Sequence, residues 1–386
     1  MRIGLFTNNY LPFRGGVTTA VETLREGLRA LGHGVWVFAP GPAAPGDETG
    51  FVHRYPSIPA PTYPGFSVAV PVSRRLRRLA GSLDLDVVHA HHPFLLGVTA
   101  RRVARRSRRP LVFTYHTRYE KYAHYVPLPE RMVAALAVRL ACRFAASADL
   151  VVAPSAHVAE TLRARGVATP VTVIPTGVPV NRFRPGPRQA ARRALGWADG
   201  DPVCLYVGRL DREKSVDRVL AAFEIVASAI PESRLVLVGQ GSHEAALRGA
   251  AEASPARQRI HFHGGVPRSE LPTFYQAADV FLFCSETETQ GLVLAEAHAC
   301  GLPAVAVGAS GVEEVVRDGE TGLLTKSTAV DLAEAAIALL LDPSRRAAMG
   351  RAARRTAEQC FSAAAHVGAM AGAYARLAQA GGRPAR

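Results

Sequence analysis

The chain has 386 residues, five dispersed cysteines and a formal net charge of +14. Its length predicts two domains of about 180 residues each, and an odd number of scattered cysteines argues against a disulfide framework or a zinc ribbon. The N-terminal sequence MRIGLFTNNYLPF lacks a signal-peptide pattern, and no apolar run approaches the ~18 residues of a membrane span. We therefore expect a cytoplasmic protein of the size of an enzyme.

Short apolar strands alternate with helical patterns along the whole chain. The first half contains RIGLF, VWVFA, DVVHA, LVFTY, LVVAP and VTVIP, and the second half contains VCLYV, RLVLV, RIHFH, DVFLF and PAVAV. The segment VTTAVETLREGLRAL after the first strand has the apolar spacing of a helix. Strands without polar alternation, separated by helices, are typical of parallel sheets covered on both faces. We predict two doubly wound α/β domains, at residues 1–178 and 190–358.

The predicted boundary between the domains is PTGVPVNRFRPGPRQ, residues 175–189. This segment has four prolines, two glycines and no periodicity. An alanine-rich helix from Phe361 to about residue 380 closes the chain. Ligands of open α/β sheets bind at the carboxyl ends of the strands, so a cleft between two facing domains is the expected site.

The loop after the first strand, LPFRGGVTT, places Gly15 and Gly16 where a helix is predicted to begin. Amides at a helix N-terminus favour anions, and glycines allow a ligand close to the backbone. A dinucleotide fingerprint needs G-x-G-x-x-G, which this loop lacks. The glycine pair is compatible with an anion site and equally with a plain tight turn.

The positive charge is concentrated in the first half of the chain. Residues 1–180 carry 22 Arg or Lys against 10 Asp or Glu, and residues 181–386 carry 24 against 22. The densest clusters are RRLRR (Arg74, Arg75, Arg77 and Arg78) and RRVARRSRR (residues 101–109). Such clusters favour nucleic acid or an anionic membrane surface. Because the chain has 43 Arg and only 3 Lys, a compositional bias toward arginine remains an alternative.

A strand ends at His116 in the segment FTYHTRYEKYAHYVP. An aromatic cluster follows it: Tyr119, Tyr122, His124 and Tyr125. The histidines of HAHHPF make a metal site conceivable, but no spaced carboxylates or cysteines support one, so we interpret His116 as a hydrogen-bonding partner of a substrate. The aromatic cluster fits a membrane interface or an amphipathic acceptor, with core packing as the alternative.

The second half carries two motifs that suit a phosphorylated, polyhydroxylated ligand. In YVGRLDREKS, Arg209 and Lys214 follow a strand end and could hold two phosphates. In SETETQGLVLAEAHACGLP, Glu288 and Glu296 flank a predicted helix start. The backbone amides predicted to meet the phosphates there belong to Gly291, Leu292 and Val293. The two carboxylates are then placed for ligand hydroxyls.

Together these motifs resemble the retaining glycosyltransferases of family 4. The segments GGV, YHT, GRLDREKS, ETQGLVLAEAHACGLP and SGVEEVVRDGETGLL occur in the family's order over nearly the whole chain. The resemblance implies the GT-B fold, two Rossmann-like domains facing across a cleft, with the C-terminal helix crossing back to the first. It also implies site roles: Gly16 beside the donor's phosphate and sugar, Arg209 and Lys214 on the diphosphate, Glu288 on the sugar, Glu296 on the ribose, and His116 at the sugar's reacting end.

More narrowly, YHTRYEKYAHY and ETQG look like the bacterial diacylglycerol glucosyltransferases. That similarity implies UDP-glucose as the favoured donor, with GDP-mannose as a second option, and a lipid hydroxyl such as that of 1,2-diacylglycerol as acceptor. It also implies peripheral attachment to an anionic inner membrane face. No Asp-x-Asp motif appears at the cleft ends of the strands, which fits a metal-independent site, and we expect neither a cofactor nor a nucleic-acid partner. The alternative is mannosyl or galactosyl transfer to a phosphatidylinositol-type or soluble acceptor. The basic clusters depart from the subgroup, because they are built from arginine rather than lysine.

Three other classes of protein remain open on sequence. A dehydrogenase would need the missing G-x-G-x-x-G. A nucleic-acid-binding protein would use the arginines but has no need for Glu288 and Glu296. A regulatory sensor of nucleotide sugars would keep the donor site without turnover.

Overall fold

The computed structural model describes residues 1–380 except 14, 45, 46, 48, 49, 61–65, 127 and 310, and the side chain of His124 also lies outside the described part. The chain divides into two compact units. The first unit is Met1–Gly177 with the C-terminal segment from Ala363, and the second unit is Val178–Ser362. Each unit has its own parallel sheet.

Within the described residues, the first unit contains nine strands and five helices before the boundary. The strands are β1 (Arg2–Phe6), β2 (Gly34–Pro40), β3 (Val52–Tyr55), β4 (Ser57–Pro59), β5 (Ser67–Ala69), β6 (Val87–Ala90), β7 (Leu111–Thr114), β8 (Leu150–Ala153) and β9 (Val171–Val173). The helices are α1 (Gly16–Ala30), α2 (Arg74–Ser82), α3 (Leu96–Ser107), α4 (Glu130–Ala145) and α5 (Ala156–Ala164), and a 3₁₀ helix spans Tyr119–Tyr125.

The seven-stranded sheet of the first unit has the order β3-β2-β1-β6-β7-β8-β9, and all of its pairs are parallel. Its central strands β6, β7 and β8 are buried throughout, which explains their continuous apolar sequences. Helices α2 to α5 pack on one face of the sheet, and α1 packs on the other. The strand order reverses between β1 and β6, the pattern of a doubly wound fold.

The second unit, in the part that the structure describes, contains six strands and eight helices. The strands are β10 (Val203–Val207), β11 (Arg234–Val238), β12 (Ile260–Gly264), β13 (Val280–Phe283), β14 (Ala304–Val307) and β15 (Gly322–Thr325). The helices are α6 (Arg188–Leu195), α7 (Val216–Ala229), α8 (Glu244–Ala253), α9 (Leu271–Ala277), α10 (Leu292–Ala299), α11 (Val312–Val315), α12 (Ala329–Leu341) and α13 (Pro343–Cys360), with 3₁₀ helices at Arg212–Lys214 and Arg257–Arg259. The sheet order is β12-β11-β10-β13-β14-β15.

The last helix, α14 (Ala363–Ala380), returns to the first unit, where it packs beside α1. Two buried polar contacts attach it. Tyr374 Oη lies 2.6 Å from Nδ1 of His89 on β6, and Nδ1 of His366 lies 2.7 Å from the carbonyl oxygen of Pro175. The predicted fold class, two Rossmann-like domains with a C-terminal helix that crosses back, is confirmed.

Eleven predicted strands form, and the sequence analysis missed β3, β4, β5 and β15. Strands β4 and β5 are a three-residue antiparallel pair, too short for a periodic signal. Strand β15 follows a turn in which Thr321 Oγ1 accepts from the amide of Arg317. None of the helices in the described part of the chain combines the length and apolar character needed to cross a membrane.

Candidate functional site

The order of the second sheet reverses between β10 and β13, so the loops that follow these strands lie side by side. Such a switch point at the carboxyl edge is where open α/β sheets bind ligands. Arg209 and Lys214 follow β10, and Glu288 follows β13. Three of the residues predicted from sequence are therefore collected at one place in the fold.

Arg209 is held by carboxylates of its own loop. Its Nη2 donates to Oε1 of Glu213 at 2.8 Å, and its Nη1 contacts Asp211. Asp211 is fully buried and also accepts from the amide and the hydroxyl of Ser242, at 2.7 and 2.8 Å. The position of Asp211 is thus set by the loop after β11, and Asp211 in turn fixes the guanidinium of Arg209.

Lys214 and Glu288 form an ion pair across the switch point. Both side chains are mostly buried, at 13% and 17% exposure. Burial works to raise the pKa of Glu288, but the ammonium of Lys214, together with hydrogen bonds from Lys214 and Ser285, outweighs it and holds the pKa below its usual value. The sequence motifs predicted contacts of these two residues with different parts of a ligand, whereas the structure places the two side chains in direct contact.

The start of α10 faces the same loops. Gly291 caps the helix with a φ of +85°, and a Cβ there would lie 3.0 Å from Cδ1 of Leu294, so the position favours glycine. The first helical bond joins the amide of Leu294 to the Gly291 carbonyl at 3.0 Å. The amides of Leu292 and Val293 precede it and belong to the helix N-terminus, which favours an anion.

Glu296, one turn into α10, is engaged by two residues that the sequence analysis missed. Arg268, which follows β12, donates to Oε1 from Nη2 at 2.8 Å and from Nε at 3.0 Å. Tyr275 of α9 donates to Oε2 at 3.3 Å. The Glu296 side chain is only 4% exposed, so a ligand hydroxyl would share a carboxylate that is already oriented from both sides.

The loop after β11 was also missed by the sequence analysis. Gly239 has a φ of +148°, and a Cβ would lie 1.8 Å from the Gly208 carbonyl oxygen. The glycine therefore lets this loop approach the loop that carries Arg209. There the amide of Leu210 donates to the backbone carbonyl oxygen of Gln240 at 3.0 Å. The only available sequence signal is the pair of glycines in VGQGSH directly after a strand.

In the first unit, histidines gather at the carboxyl ends of β6 and β7. Nδ1 of His91 lies 2.9 Å from Nε2 of His116. Burial, followed by the nearby histidines, holds the pKa of both residues well below the usual value. Both rings are therefore neutral, and one of them donates its N–H to the other. His92 accepts from the amide of Asn8 at 3.0 Å, which attaches the loop after β1 to this edge.

The remaining predicted residues of the first unit have mixed environments. Gly15 precedes α1 with a φ of −170°, an extended conformation open to any residue, and Gly16 is the first helical residue. Tyr119 is 9% exposed and packs edge-on against Tyr115, so it belongs to the core rather than to an acceptor surface. Tyr122 and Tyr125 are partly exposed and stack with ring centroids 6.3 Å apart.

The four arginines of RRLRR lie on α2. Arg74, Arg75 and Arg78 are exposed, and Arg77 is partly exposed. Helix α2 is capped by Ser73, whose hydroxyl accepts from the amide of Leu76 at 3.2 Å.

His298 on α10 provides a pH-dependence prediction. It is fully buried, burial lowers its pKa to about 3, and neither ring nitrogen has a hydrogen-bond partner among the described residues. When the pH is below 6.5, the ordinary pKa of histidine, the unfolded chain takes up a proton at this residue that the folded chain does not. The free energy of unfolding therefore falls by about 1.4 kcal/mol for each further unit that the pH falls.

We expect His298→Leu to stabilise the protein more at pH 5 than at pH 7.5, by about 2 kcal/mol. Chemical unfolding at the two pH values measures the difference. The exposed His157→Leu serves as control. An equal gain for His298→Leu at both pH values would show that its imidazole is not kept neutral by burial.

Both units of the chain are similar to known glycosyltransferases. The sequence model of "Glycosyltransferase Family 4" matches residues 14–182, and that of "Glycosyl transferases group 1" matches residues 187–356. The alpha-monoglucosyldiacylglycerol synthase of Acholeplasma laidlawii is 34% identical over 336 residues, covering 84% of each chain. A GDP-mannose-dependent alpha-(1-6)-phosphatidylinositol monomannoside mannosyltransferase of Mycolicibacterium smegmatis is 33% identical over 376 residues, covering 92% of this chain and 93% of its own.

Among solved structures, HepE of Anabaena in complex with UDP superimposes with a TM-score of 0.79 at 22% identity. The match covers 98% of this chain and all of HepE. At this level of identity the likeness concerns the fold.

Proposed function

The chain belongs to glycosyltransferase family 4, and from this we propose that it transfers a hexose from a nucleotide-diphosphate sugar to a lipid hydroxyl with retention at the anomeric carbon. We favour glucose as the sugar and 1,2-diacylglycerol as the acceptor. The proposal rests on the similarity to the A. laidlawii synthase and on the switch-point site of the second unit. A mannosyl transfer to a phosphatidylinositol-type acceptor is the second candidate, favoured by the similarity to the M. smegmatis enzyme.

The observation that carries the donor assignment is the meeting of Arg209, Lys214 and the N-terminus of α10 at the reversal of the second sheet. Two cations and a set of helix amides suit the two phosphates of a nucleoside diphosphate. Glu288 and Glu296 offer carboxylate oxygens to the hydroxyls of the sugar and the ribose. The leaving diphosphate is then stabilised electrostatically by groups that are already oriented before the reaction.

We propose a metal-independent reaction without a cofactor. Arg209, Lys214 and backbone amides would supply the positive charge that stabilises the negatively charged departing diphosphate, so that no step requires a divalent ion. Turnover that is unchanged by a chelator supports this part of the proposal. Loss of turnover on chelation, with recovery on adding Mg²⁺ or Mn²⁺, would contradict it.

The test of the proposed function is a transfer assay with labelled nucleotide sugars. The protein is incubated with UDP-glucose, UDP-galactose or GDP-mannose and with vesicles that contain diacylglycerol or phosphatidylinositol. We expect a labelled glycolipid from UDP-glucose and diacylglycerol. Product from GDP-mannose and phosphatidylinositol alone would replace the first candidate by the second, and hydrolysis or binding without any transfer would indicate a sensor.

We further propose that the basic helices of the first unit attach the protein to the inner, anionic face of the plasma membrane. The exposed arginines of α2 support this, as does Val72, which is 69% exposed directly before them. Each arginine near such a surface contributes about 1 kcal/mol, and the attraction fades within a Debye length of roughly 8 Å at physiological salt.

Replacing Arg74, Arg75, Arg77 and Arg78 by serine is expected to weaken sedimentation with anionic vesicles, to leave nucleotide binding unchanged and to reduce transfer to vesicle-borne acceptor. Added salt should have the same effect on the unsubstituted protein. Equal binding to neutral and anionic vesicles, insensitive to salt and to the substitutions, would leave arginine-rich composition as the explanation of these clusters.

A further inference from the structure

Helix α4 exposes an apolar stripe. Leu128, just before the helix, and Met132, Leu136 and Leu140 recur at every fourth position and are 65%, 70%, 56% and 41% exposed. A spacing of four keeps side chains on one face of a helix. The opposite face is anchored in the core of the first unit, where Ala141 and Ala145 are buried. From Met132 to Leu140 the stripe extends for about 12 Å along the helix at 1.5 Å per residue.

The charged residues of α4 beside this stripe are mainly positive. Arg131, Arg139 and Arg143 are exposed on α4, and Glu130, at its first position, is the only acidic residue in the helix sequence ERMVAALAVRLACRFA. A helix with large apolar side chains on its outer face and arginines along the edges has the composition of one that lies in a membrane interface. The arginines would meet lipid phosphates while the apolar side chains enter the acyl region.

The neighbours of α4 add to this pattern. Helices α2, α3 and α4 pack on the same face of the first sheet, and the guanidinium of Arg101 on α3 lies 5.8 Å from the ring centre of Phe144 on α4. Each of these three helices carries exposed arginines. Tyr122 and Tyr125, in the 3₁₀ helix that precedes α4, provide partly exposed rings of the kind enriched at membrane interfaces.

We propose that α4 is the element of this protein that inserts into an anionic bilayer, with Met132, Leu136 and Leu140 among the acyl chains. The proposal deepens the proposed function and rests on its lipid acceptor. Such an acceptor lies in a membrane, so an enzyme that uses it needs a surface that contacts the bilayer. It differs from attachment by the arginines of α2, which needs no apolar contact.

Charge favours a bilayer over a second copy of the chain as the occupant of this stripe. A symmetric dimer through α4 would bring the same surface of each copy together. Arg139 and Arg143 of one copy would then lie near those of the other, and the described residues of α4 beyond Glu130 include no carboxylate to compensate. An anionic lipid surface supplies the missing negative charge.

The first experiment compares vesicle binding of the full chain and of M132Q/L136Q/L140Q. Vesicles of phosphatidylcholine with phosphatidylglycerol are used, and phosphatidylcholine alone serves as reference. We expect the substitutions to lower the partition coefficient roughly tenfold or more, since three large apolar side chains no longer leave water. The matched control is V330Q/L341Q, which changes side chains of the second unit that are 53% and 69% exposed, and its binding should be unchanged.

A second measurement reports insertion depth. Leu136→Trp places an indole on the stripe, and its emission should shift to shorter wavelength and be quenched by lipids brominated on their acyl chains. Val330→Trp should show neither effect, and the native Trp36 and Trp197 give the baseline. All substituted positions are exposed, so unfolding curves should match that of the unsubstituted protein.

Vesicle binding that is unaffected by M132Q/L136Q/L140Q, or an indole emission of the Leu136→Trp variant that is unaffected by brominated lipid, would overturn the proposal. A dimer of the unsubstituted chain that the triple variant abolishes, with vesicle binding unchanged, would assign the stripe to self-association instead. Binding is measured without turnover, so the proposal stands or falls separately from the function. If no donor supports transfer but the triple variant loses binding, the proposed function fails and the membrane role of α4 remains.

Discussion

Lys214→Ala is expected to lower kcat/KM for the nucleotide sugar by about 10²- to 10³-fold, as for other preorganised groups that stabilise developing charge. The substitution removes a positive charge that we propose to contact the donor phosphates. It also leaves Glu288, whose side chain is 17% exposed, without its cationic partner, and breaking a buried ion pair in this way costs about 3–5 kcal/mol. Steady-state kinetics and calorimetry with UDP and GDP measure the two consequences.

A double substitution separates these effects. In Lys214→Ala with Glu288→Gln no unpaired carboxylate remains, so stability should recover while diphosphate affinity stays low. Full recovery of affinity in the double variant would mean that Lys214 only neutralises Glu288 and does not contact the diphosphate. Arg218→Ala is the matched control, because Arg218 of α7 pairs at 2.8 Å with Glu286 in the loop that also carries Glu288, but has no assigned ligand contact.

His116→Ala is expected to lower turnover by about 10²-fold while nucleotide affinity changes little. The resemblance to family 4 places this residue at the reacting end of the sugar, and a contact that strengthens mainly in the transition state affects the rate rather than ground-state binding. Comparison of kcat with the Kd for UDP measures this. Near-normal turnover in the variant would make His116 structural.

The partner of His116 supplies the control for orientation. His91→Leu removes the 2.9 Å contact between the two rings, whereas His91→Asn keeps a hydrogen-bonding group near the position of Nδ1. If His91 orients His116, the leucine variant should lose turnover and shift the pH profile, and the asparagine variant should retain more activity. Equal losses in both variants, without a change in the pH profile, would show that His91 acts only through packing.

Much of the fold could be read from local sequence. Most of the eleven predicted strands are buried on both faces because both sides of each sheet are covered, and that covering produces continuous apolar runs such as LVVA. The edge strands β9 and β12 are partly exposed. Helix α1 was equally readable, since Val21, Leu24 and Leu28 are all buried and follow a helical spacing. Strands β3, β4, β5 and β15 escaped notice because they are short edge or hairpin strands without a periodic signal.

The sequence predicted which residues form the candidate site, but not which other residues hold them in place. Motif order indicated that Arg209, Lys214, Glu288 and Glu296 belong together, and all four lie at the carboxyl edge of the second sheet. The partners of these residues were not predicted. Asp211 and Glu213 hold Arg209, and Arg268 with Tyr275 holds Glu296.

The sequence by itself determined the fold class, the family and the types of residue at the switch point, because strand burial, glycine-dependent turns and motif order are local properties of the chain. Only the tertiary structure decided that Lys214 meets Glu288 across 74 positions and that Tyr374 returns to His89 across 285. It also decided that Met132, Leu136 and Leu140 face water while Tyr119 is buried. Contacts between residues far apart in sequence, and the exposed fraction of an apolar side chain, follow from how strands and helices stack, which no local pattern encodes.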